Sequence, residues 1–389
     1  MKWLALCVAT VALCAPAAAQ SPVVSGVVFL DRNGNGQRDA GDTGVAGAVV
    51  SNQDAVVRTG ADGSYRLEGR GAGLVFVSIP TGHVASGAWF KPVTGASTTA
   101  DFGLQRGGAG ESFTFIHASD THIAEASKAR SVRLLALADS VRPAFVIITG
   151  DLVRDALRVS EAEATGYYEL FASTMKPSPR PIWTVPGNHE VFGIERDKSG
   201  VSADHPLFGR EMYRKYRGPD YYSFNAGGVH FIGLNTVDIS DQWYYGHVDS
   251  VQLAWLARDV AAVPRGTPIV TFNHIPLYSA LEAMGGYVDA PPAPSLITVG
   301  GKTNYRHVVS NARDVMAIMK GHEFPLALGG HVHMREELRY AATPTRFVQA
   351  AAVVGPNPTG GFAHPSGITV YRVTRGRISE GTFVPLGIP

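Results

Sequence analysis

From residue 113 onward the chain repeats one pattern five times: a short apolar run, then a polar motif built from glycine, aspartate, asparagine and histidine. Phe113–Ser119 leads into Asp120-Thr121-His122, Ala144–Thr149 into Gly150-Asp151, and Pro181–Val185 into Gly187-Asn188-His189-Glu190. Ile269–Phe272 leads into Asn273-His274, and Phe324–Leu328 into Gly329-Gly330-His331-Val332-His333. Bounded apolar runs of this length read as buried strands. Helical patterns separate them, at Lys128–Ser140, from Ser160 with Glu163 in capping-box position, at Asp249–Ala262 and at Ser310–Lys320. Strands alternating with helices specify an α/β fold. In such folds ligands collect where loops leave the carboxyl ends of the strands, and every motif named above sits at such a position. In extended backbone, residues two apart share a face, so His331 and His333 are expected to present both imidazoles to one point.

The motifs supply three carboxylate or amide oxygens, from Asp120, Asp151 and Asn188, and four imidazoles, from His122, His274, His331 and His333, without sulfur. That donor set suits two first-row ions such as manganese, zinc or iron. A carboxylate can bridge two cations, and a metal pair about 3.5–4 Å apart can clamp a phosphoryl group and activate water near neutral pH.

In their order, D-x-H, G-D, G-N-H-E, H and G-H-x-H, these motifs resemble those of the calcineurin-like metallophosphoesterases, from residue 113 to about 350. The resemblance implies a four-layer α/β/β/α fold of two packed mixed sheets flanked by helices. It implies that Asp120, His122, Asp151 and His333 hold one metal, and that Asp151 bridges to a second completed by Asn188, His274 and His331. It further implies phosphomonoester or phosphodiester hydrolysis through a hydroxide that bridges the metals. His189 would then protonate the leaving oxygen, with Glu190 orienting its imidazole. The competing reading is a non-catalytic surface or binding protein that keeps the fold as a scaffold. His117 and His230 fall inside strands and are expected in the core. His83, His205, His247, His307, His322 and His364 stand outside any motif and are given no role. Two long segments leave strand ends on the metal side. Val191–Asp220 carries Arg196, Lys198, His205, Arg210, Arg214 and Lys215, and Leu277–Tyr305 carries Tyr278, Tyr287, Pro291, Pro292 and Tyr305. The first is expected to set specificity by its cations and the second by its aromatics.

Residues 20–105 read as a small all-β sandwich, with strands at Val23–Leu30, Ala46–Ser51, Ala55–Thr59, Tyr65–Leu67 and Leu74–Ile79, and a hairpin turn at Ala61-Asp62-Gly63-Ser64. The module resembles carboxypeptidase-regulatory-like and B-repeat modules. Between its first two strands, Asp31, Asn33, Asn35, Asp39 and Asp42 follow the spacing of a calcium loop, with Gly36 at the sharp turn. Two readings stand there, a structural calcium site or an ion-free polar turn, in a setting of strands rather than the helices of an EF-hand. Residues 106–110 form a glycine-rich linker, and 111–389 the second domain with its C-terminal strands at Arg346–Ala350, Ile368–Val373 and Gly381–Val384.

Residues 1–19 read as a signal peptide, with Lys2, an apolar Trp3–Cys14 stretch and Ala17-Ala18-Ala19 before the cleavage point. A secreted or periplasmic protein is expected. Both cysteines, Cys7 and Cys14, lie in that segment, so the mature chain has no thiol for disulfide, zinc or nucleophile chemistry. Without Lys2, 33 basic residues balance 33 acidic ones, which gives no electrostatic footing for nucleic acid. No later run is long enough to span a bilayer. A phosphate-ester substrate is the one partner implied, and the oligomeric state is open.

Overall fold

The computed structural model describes residues 22–69, 71–288, 294–359 and 362–388. The leader at 1–19 lies outside them. Period-two alternation builds the layers. Along Phe145–Ile148, Phe145 and Ile147 face a central core while Val146 and Ile148 face the helices. Along Ser112–Ala118, Phe115 and Ile116 divide in the same way.

The first sheet orders Ile182–Thr184, Phe145–Ile148, Ser112–Ala118, Gly367–Thr374 and Arg377–Ile378. Its first three strands are parallel, Gly367–Thr374 runs antiparallel, and Thr382–Pro385 pairs with the latter. The second sheet orders Tyr222–Ala226, Val229–Gly233, Ile269–Phe272, Leu326–Gly329, Arg346–Gln349 and Glu336–Arg339, its four middle strands parallel. The sheets meet through aromatic rings. Phe115 stacks on Phe145 at 5.5 Å and on Tyr371 at 5.1 Å, and turns an edge to Phe231 at 5.5 Å. Trp183 stacks on Phe224 at 4.1 Å. Such pairs add about 0.5–1.5 kcal/mol beyond their buried area. Helices Lys128–Val141 and Glu161–Met175 cover the first sheet through Leu134, Ala138, Tyr168 and Phe171. Ser250–Ala261 and Ala312–Met319 pack together and join the core of the second sheet through Trp255, Leu256, Val315 and Met319. Ser160 caps Glu161–Met175 by accepting from Glu163 N–H, and Asp249 caps Ser250–Ala261 by accepting from Gln252 N–H. The result is four layers, two packed mixed sheets with helices on either side.

The N-terminal strands form a sandwich. One sheet holds Val23–Leu30, Thr43–Gly44, Ser64–Glu68, His83–Ala85, Ser97–Thr99 and Phe102–Arg106, and the other Val49–Ser51, Val56–Arg58, Leu74–Ser78 and Phe90–Pro92. The turn at 61–64 is no hairpin. The strands on its two sides belong to different sheets, with Ser64–Glu68 paired to Val23–Leu30 and Val56–Arg58 to Val49–Ser51. Gly63, at φ 78°, passes so close to Val28 and Gly44 that a Cβ there would lie 2.3 Å from the Val28 carbonyl oxygen. Its glycine lets the chain cross between layers.

The sandwich and the α/β part share one hydrophobic cluster. Trp89 packs on Trp183 at 5.2 Å and Tyr222 at 4.8 Å, and Phe76 on Trp255 at 6.5 Å. Polar groups cross the same seam. Trp255 Nε1 donates to Ser51 Oγ at 3.0 Å, Gln53 Nε2 donates to Asp220 Oδ1 at 3.0 Å, and Tyr221 Oη donates to the Gln53 carbonyl at 2.6 Å. Among the described residues no helix is long and apolar enough to cross a membrane.

A shared core predicts one cooperative unfolding transition for both parts. In urea, tryptophan fluorescence and far-UV circular dichroism should report the same midpoint. Trp255→Ala should lower the stability of the whole chain by about 3–5 kcal/mol, the cost of an emptied aromatic site. Two separate transitions would contradict it.

Candidate metal centre

All seven expected donors come together at the carboxyl ends of the strands. The motif loops are stitched to one another by backbone: Asp120 N–H donates to the Gly150 carbonyl at 3.1 Å, His122 N–H to that of Asp151 at 2.9 Å, and Gly330 N–H to that of His274 at 2.9 Å. Two glycines permit this approach. A Cβ on Gly187 would lie 2.2 Å from Asp151 Oδ1, and one on Gly330 would lie 2.0 Å from Ser119 Oγ. Positive φ angles mark the same place. Nine described non-glycine residues adopt them, and five are Asp120, His122, Asp151, His331 and His333. Each such residue stores about 1–3 kcal/mol of strain, which persists where the surroundings over-determine the geometry.

His331 and His333 therefore do not share a face of an extended strand. The strand ends at Gly329, and both histidines lie in the turn beyond it at φ 70° and 53°. They part company. His333 joins Asp120, His122 and Asp151 in one group, and His331 joins Asp151 and His274 in the other, each group's donor atoms lying within 4.8 Å of one another. In the first, His333 Nε2 lies 3.2 Å from Asp120 Oδ1 and 3.1 Å from His122 Nε2. In the second, His274 Nε2 lies 3.1 Å from Asn188 Oδ1 and 3.2 Å from His331 Nδ1. Asp151 Oδ2 stands between them, 3.4 Å from His122 Nε2 and 3.2 Å from His274 Nε2.

The donors fit cations. Asp120 Oδ1 is buried and receives no hydrogen bond, although it faces the cluster. Buried carboxylate oxygens seldom go without a donor, and a bound cation is one resolution. Burial pushes the Asp151 carboxyl up, but His274, His189 and His122 outweigh it and hold it well below its usual range. Burial presses His122 down to about 4 and holds His331 well below its usual range. Burial also opposes a charge on His274, yet Asp151 and Asp120 carry it up to about 9.

The sequence profile of the calcineurin-like phosphoesterases matches residues 113–335, more than half of the chain. The chain belongs to the calcineurin-like phosphoesterase family. Among curated relatives, it is 32% identical to purple acid phosphatase 15 of Arabidopsis thaliana over 106 residues, 26% of this chain and 19% of that protein. It is 25% identical to purple acid phosphatase 23 of the same plant over 179 residues, 44% of this chain and 32% of that one. The matched stretch is thus a third or less of each relative's length. Among solved structures, a dimetal phosphatase from Danio rerio aligns with TM-score 0.46 and 14% identity, over 71% of this chain and 99% of that one. A purple acid phosphatase from yellow lupin (Lupinus luteus) aligns with TM-score 0.45 and 14% identity, over 94% and 70%.

Around this phosphoesterase centre several expectations need correcting. Glu190 does not orient His189. Its carboxylate is fully buried and accepts from Leu152 N–H at 2.7 Å, Val153 N–H at 2.9 Å and Gly187 N–H at 2.6 Å. It ties the Gly187 turn to the segment after Asp151. Burial and the neighbouring Asp151 push it up to about 8. His189 takes its orientation from a carbonyl instead, with Nδ1 2.6 Å from Arg154 O. Its ring stands edge-on to His122 at 4.5 Å, and Nε2 lies 4.0 Å from Asp151 Oδ2.

Four cations of the Val191–Asp220 segment are committed to carboxylates, and Lys215 lies over the Tyr216 ring at 5.2 Å. Arg210 pairs with Asp238 and Asp249, Arg214 with Asp220 and Glu211, Lys198 with Glu195, and Arg196 with Asp241. In the Leu277–Tyr305 segment, Tyr278 packs on Phe347 at 4.8 Å and Tyr340 at 5.6 Å, while Tyr287 and Tyr305 are exposed. Pro291 and Pro292 lie outside the described residues. His117 and His230 are buried as expected, the first 3.0 Å from Thr149 Oγ1 and the second between Asn225 and Asp259. In the expected calcium loop, Asp31 accepts from Gly34 and Gly36 N–H, both Asn33 and Asn35 donate to Asp39 Oδ2 at 2.8 Å, and Asp42 accepts from Arg32 and Asp39 N–H. One neighbour of the centre escaped the sequence. His307, outside every motif, places Nδ1 2.8 Å from His331 Nε2. No spacing signal announces it.

Two outcomes follow from these positions. Because His274 holds its proton to about 9 in the metal-free protein, metal uptake should release protons and tighten as pH rises toward that value. Calorimetric titrations in two buffers of different ionisation enthalpy would measure the release. Glu190→Gln puts an amide N–H2 where backbone N–H groups now donate. It should cost about 1–3 kcal/mol of stability and leave the dependence of turnover on the leaving group as in the parent, measured by thermal melts and a series of substituted phenyl phosphates.

Proposed function

We propose that the chain is a phosphoesterase dependent on two metal ions, hydrolysing phosphomonoesters or phosphodiesters. The observation that carries this is Asp151, whose Oδ2 is shared by two donor groups that otherwise have no residue in common. Asp120, His122 and His333 would hold one ion, Asn188, His274 and His331 the other, with Asp151 common to both. Manganese, zinc and iron all suit these donors. Bound there, the ions would polarise the phosphoryl oxygens and supply a nucleophile from water at neutral pH.

The chain's own part centres on His189. The Arg154 carbonyl can only accept, so Nδ1 of His189 carries a proton and Nε2 is the atom turned to the site. Protonated there, it can donate to the oxygen of the departing alcohol, while the carbonyl keeps the ring in place. The stretches shared with two purple acid phosphatases support a phosphate ester as substrate. The leader-like residues 1–19 support action outside the cytoplasm, and the oxygen donors of the Asp31–Asp42 loop support a structural calcium.

Chelator-stripped protein should hydrolyse neither a chromogenic phosphomonoester nor a phosphodiester, and added manganese or zinc should restore activity on at least one. A metal-loaded protein inert toward both would sink the reading. His189→Ala should keep both ions by elemental analysis yet lower turnover about 10²–10⁴-fold, most for poor leaving groups. Asp151→Asn should lose both ions.

A further inference from the structure

His307 lies on the connection between the Lys302–Tyr305 strand and the Ala312–Met319 helix. That connection is held from both sides. Arg306 N–H donates to the Ser295 carbonyl at 2.9 Å, and Val309 N–H to that of Pro276 at 2.9 Å. Arg306 is buried, its guanidinium lies 4.2 Å from the centre of the Tyr244 ring, and its Nε donates to the Tyr244 carbonyl at 3.3 Å. Gly246 comes so near that a Cβ on it would stand 2.1 Å from the Val308 carbonyl oxygen. The clamped backbone delivers the His307 ring to His331, the ring centres 5.0 Å apart with 23° between planes and Nδ1 against Nε2 at 2.8 Å.

The other nitrogen of His331, Nδ1, belongs to the second donor group, 3.2 Å from His274 Nε2. A neutral imidazole that offers Nδ1 to a cation carries its proton on Nε2. That N–H needs an acceptor, and Nδ1 of His307 is in line for it. His274 solves the same problem with a carbonyl, its Nδ1 lying 2.7 Å from Thr149 O. His331 has an imidazole in that place.

We propose that His307 is a positioning residue for the second metal ion: its Nδ1 accepts the Nε2–H of His331 and so fixes the tautomer and ring plane in which His331 Nδ1 is a metal donor. The inference rests on the two-ion reading given above. Outer partners of metal-bound histidines set affinity, and removing one weakens binding by about 10–100-fold.

The test is a calorimetric manganese titration of the chelator-stripped full chain, with ion content checked by elemental analysis. The parent should take two ions. His307→Ala should bind the second about 10–100-fold more weakly, with the first and the melting temperature of the stripped protein unchanged. His307→Asn sets an amide oxygen close to the place of Nδ1 and should restore the second ion. His307→Gln, whose amide reaches further, should not. If His307→Ala binds both ions like the parent, or Asn and Gln replacements behave alike, the assignment of His307 fails while the two-ion reading stands. A parent chain that takes no ion overturns the two-ion reading, and this inference with it.

Discussion

The carboxylate of Asp151 is the constraint to which the rest of the centre answers. It is almost fully buried, and five histidine and aspartate side chains crowd around it from loops far apart in sequence. An ionised carboxylate in such a place is stable only if positive charge and hydrogen bonds surround it. Its backbone neighbours supply part of that: His189 N–H donates to Oδ1 at 2.9 Å. Oδ2 is left for the imidazoles, and for whatever cations they bind. The chemistry of the site is set by where this one oxygen points.

Holding it there takes a framework that resists relaxation. Five donors sit in left-handed backbone, a conformation that side chains with a Cβ adopt reluctantly. The loops can keep it because they bond to one another and because Glu190 pins three N–H groups underneath. Beneath the loops lie the two sheets, joined by the Phe115, Phe145, Phe231 and Tyr371 rings. Strain at the strand tips is balanced by rigidity a few residues below, which holds the donor atoms together.

The strand ends and their donors were legible in the sequence because each donor follows a bounded apolar run within a few residues. What the sequence hid were relations across space. His189 and Glu190 are neighbours in the chain, which invites reading them as a pair. On a tight 3₁₀ turn, however, their side chains diverge, one to a carbonyl and one to buried N–H groups. The arginines at 196, 210 and 214 looked free because their carboxylate partners include residues as distant as Asp241, Asp238 and Asp249. His307 lacked any motif because its whole significance is a contact with a turn 24 residues away. The Asp62-Gly63 turn carried the composition of a hairpin, while the glycine serves a crossing between sheets. Strands such as Tyr222–Ala226 and the Val237–Ser240 and Trp243–Gly246 pair carry less apolar signal: their neighbours, more than their own composition, make them strands.

The seam between the sandwich and the α/β part has a mechanical meaning. Trp89, Trp183, Tyr222 and Trp255 interlock there, and Gln53 bonds across it. A joint of this kind does not swivel. Whatever the sandwich grips would therefore set the compass bearing of the catalytic mouth, and a load pulling on one part would be felt in the other.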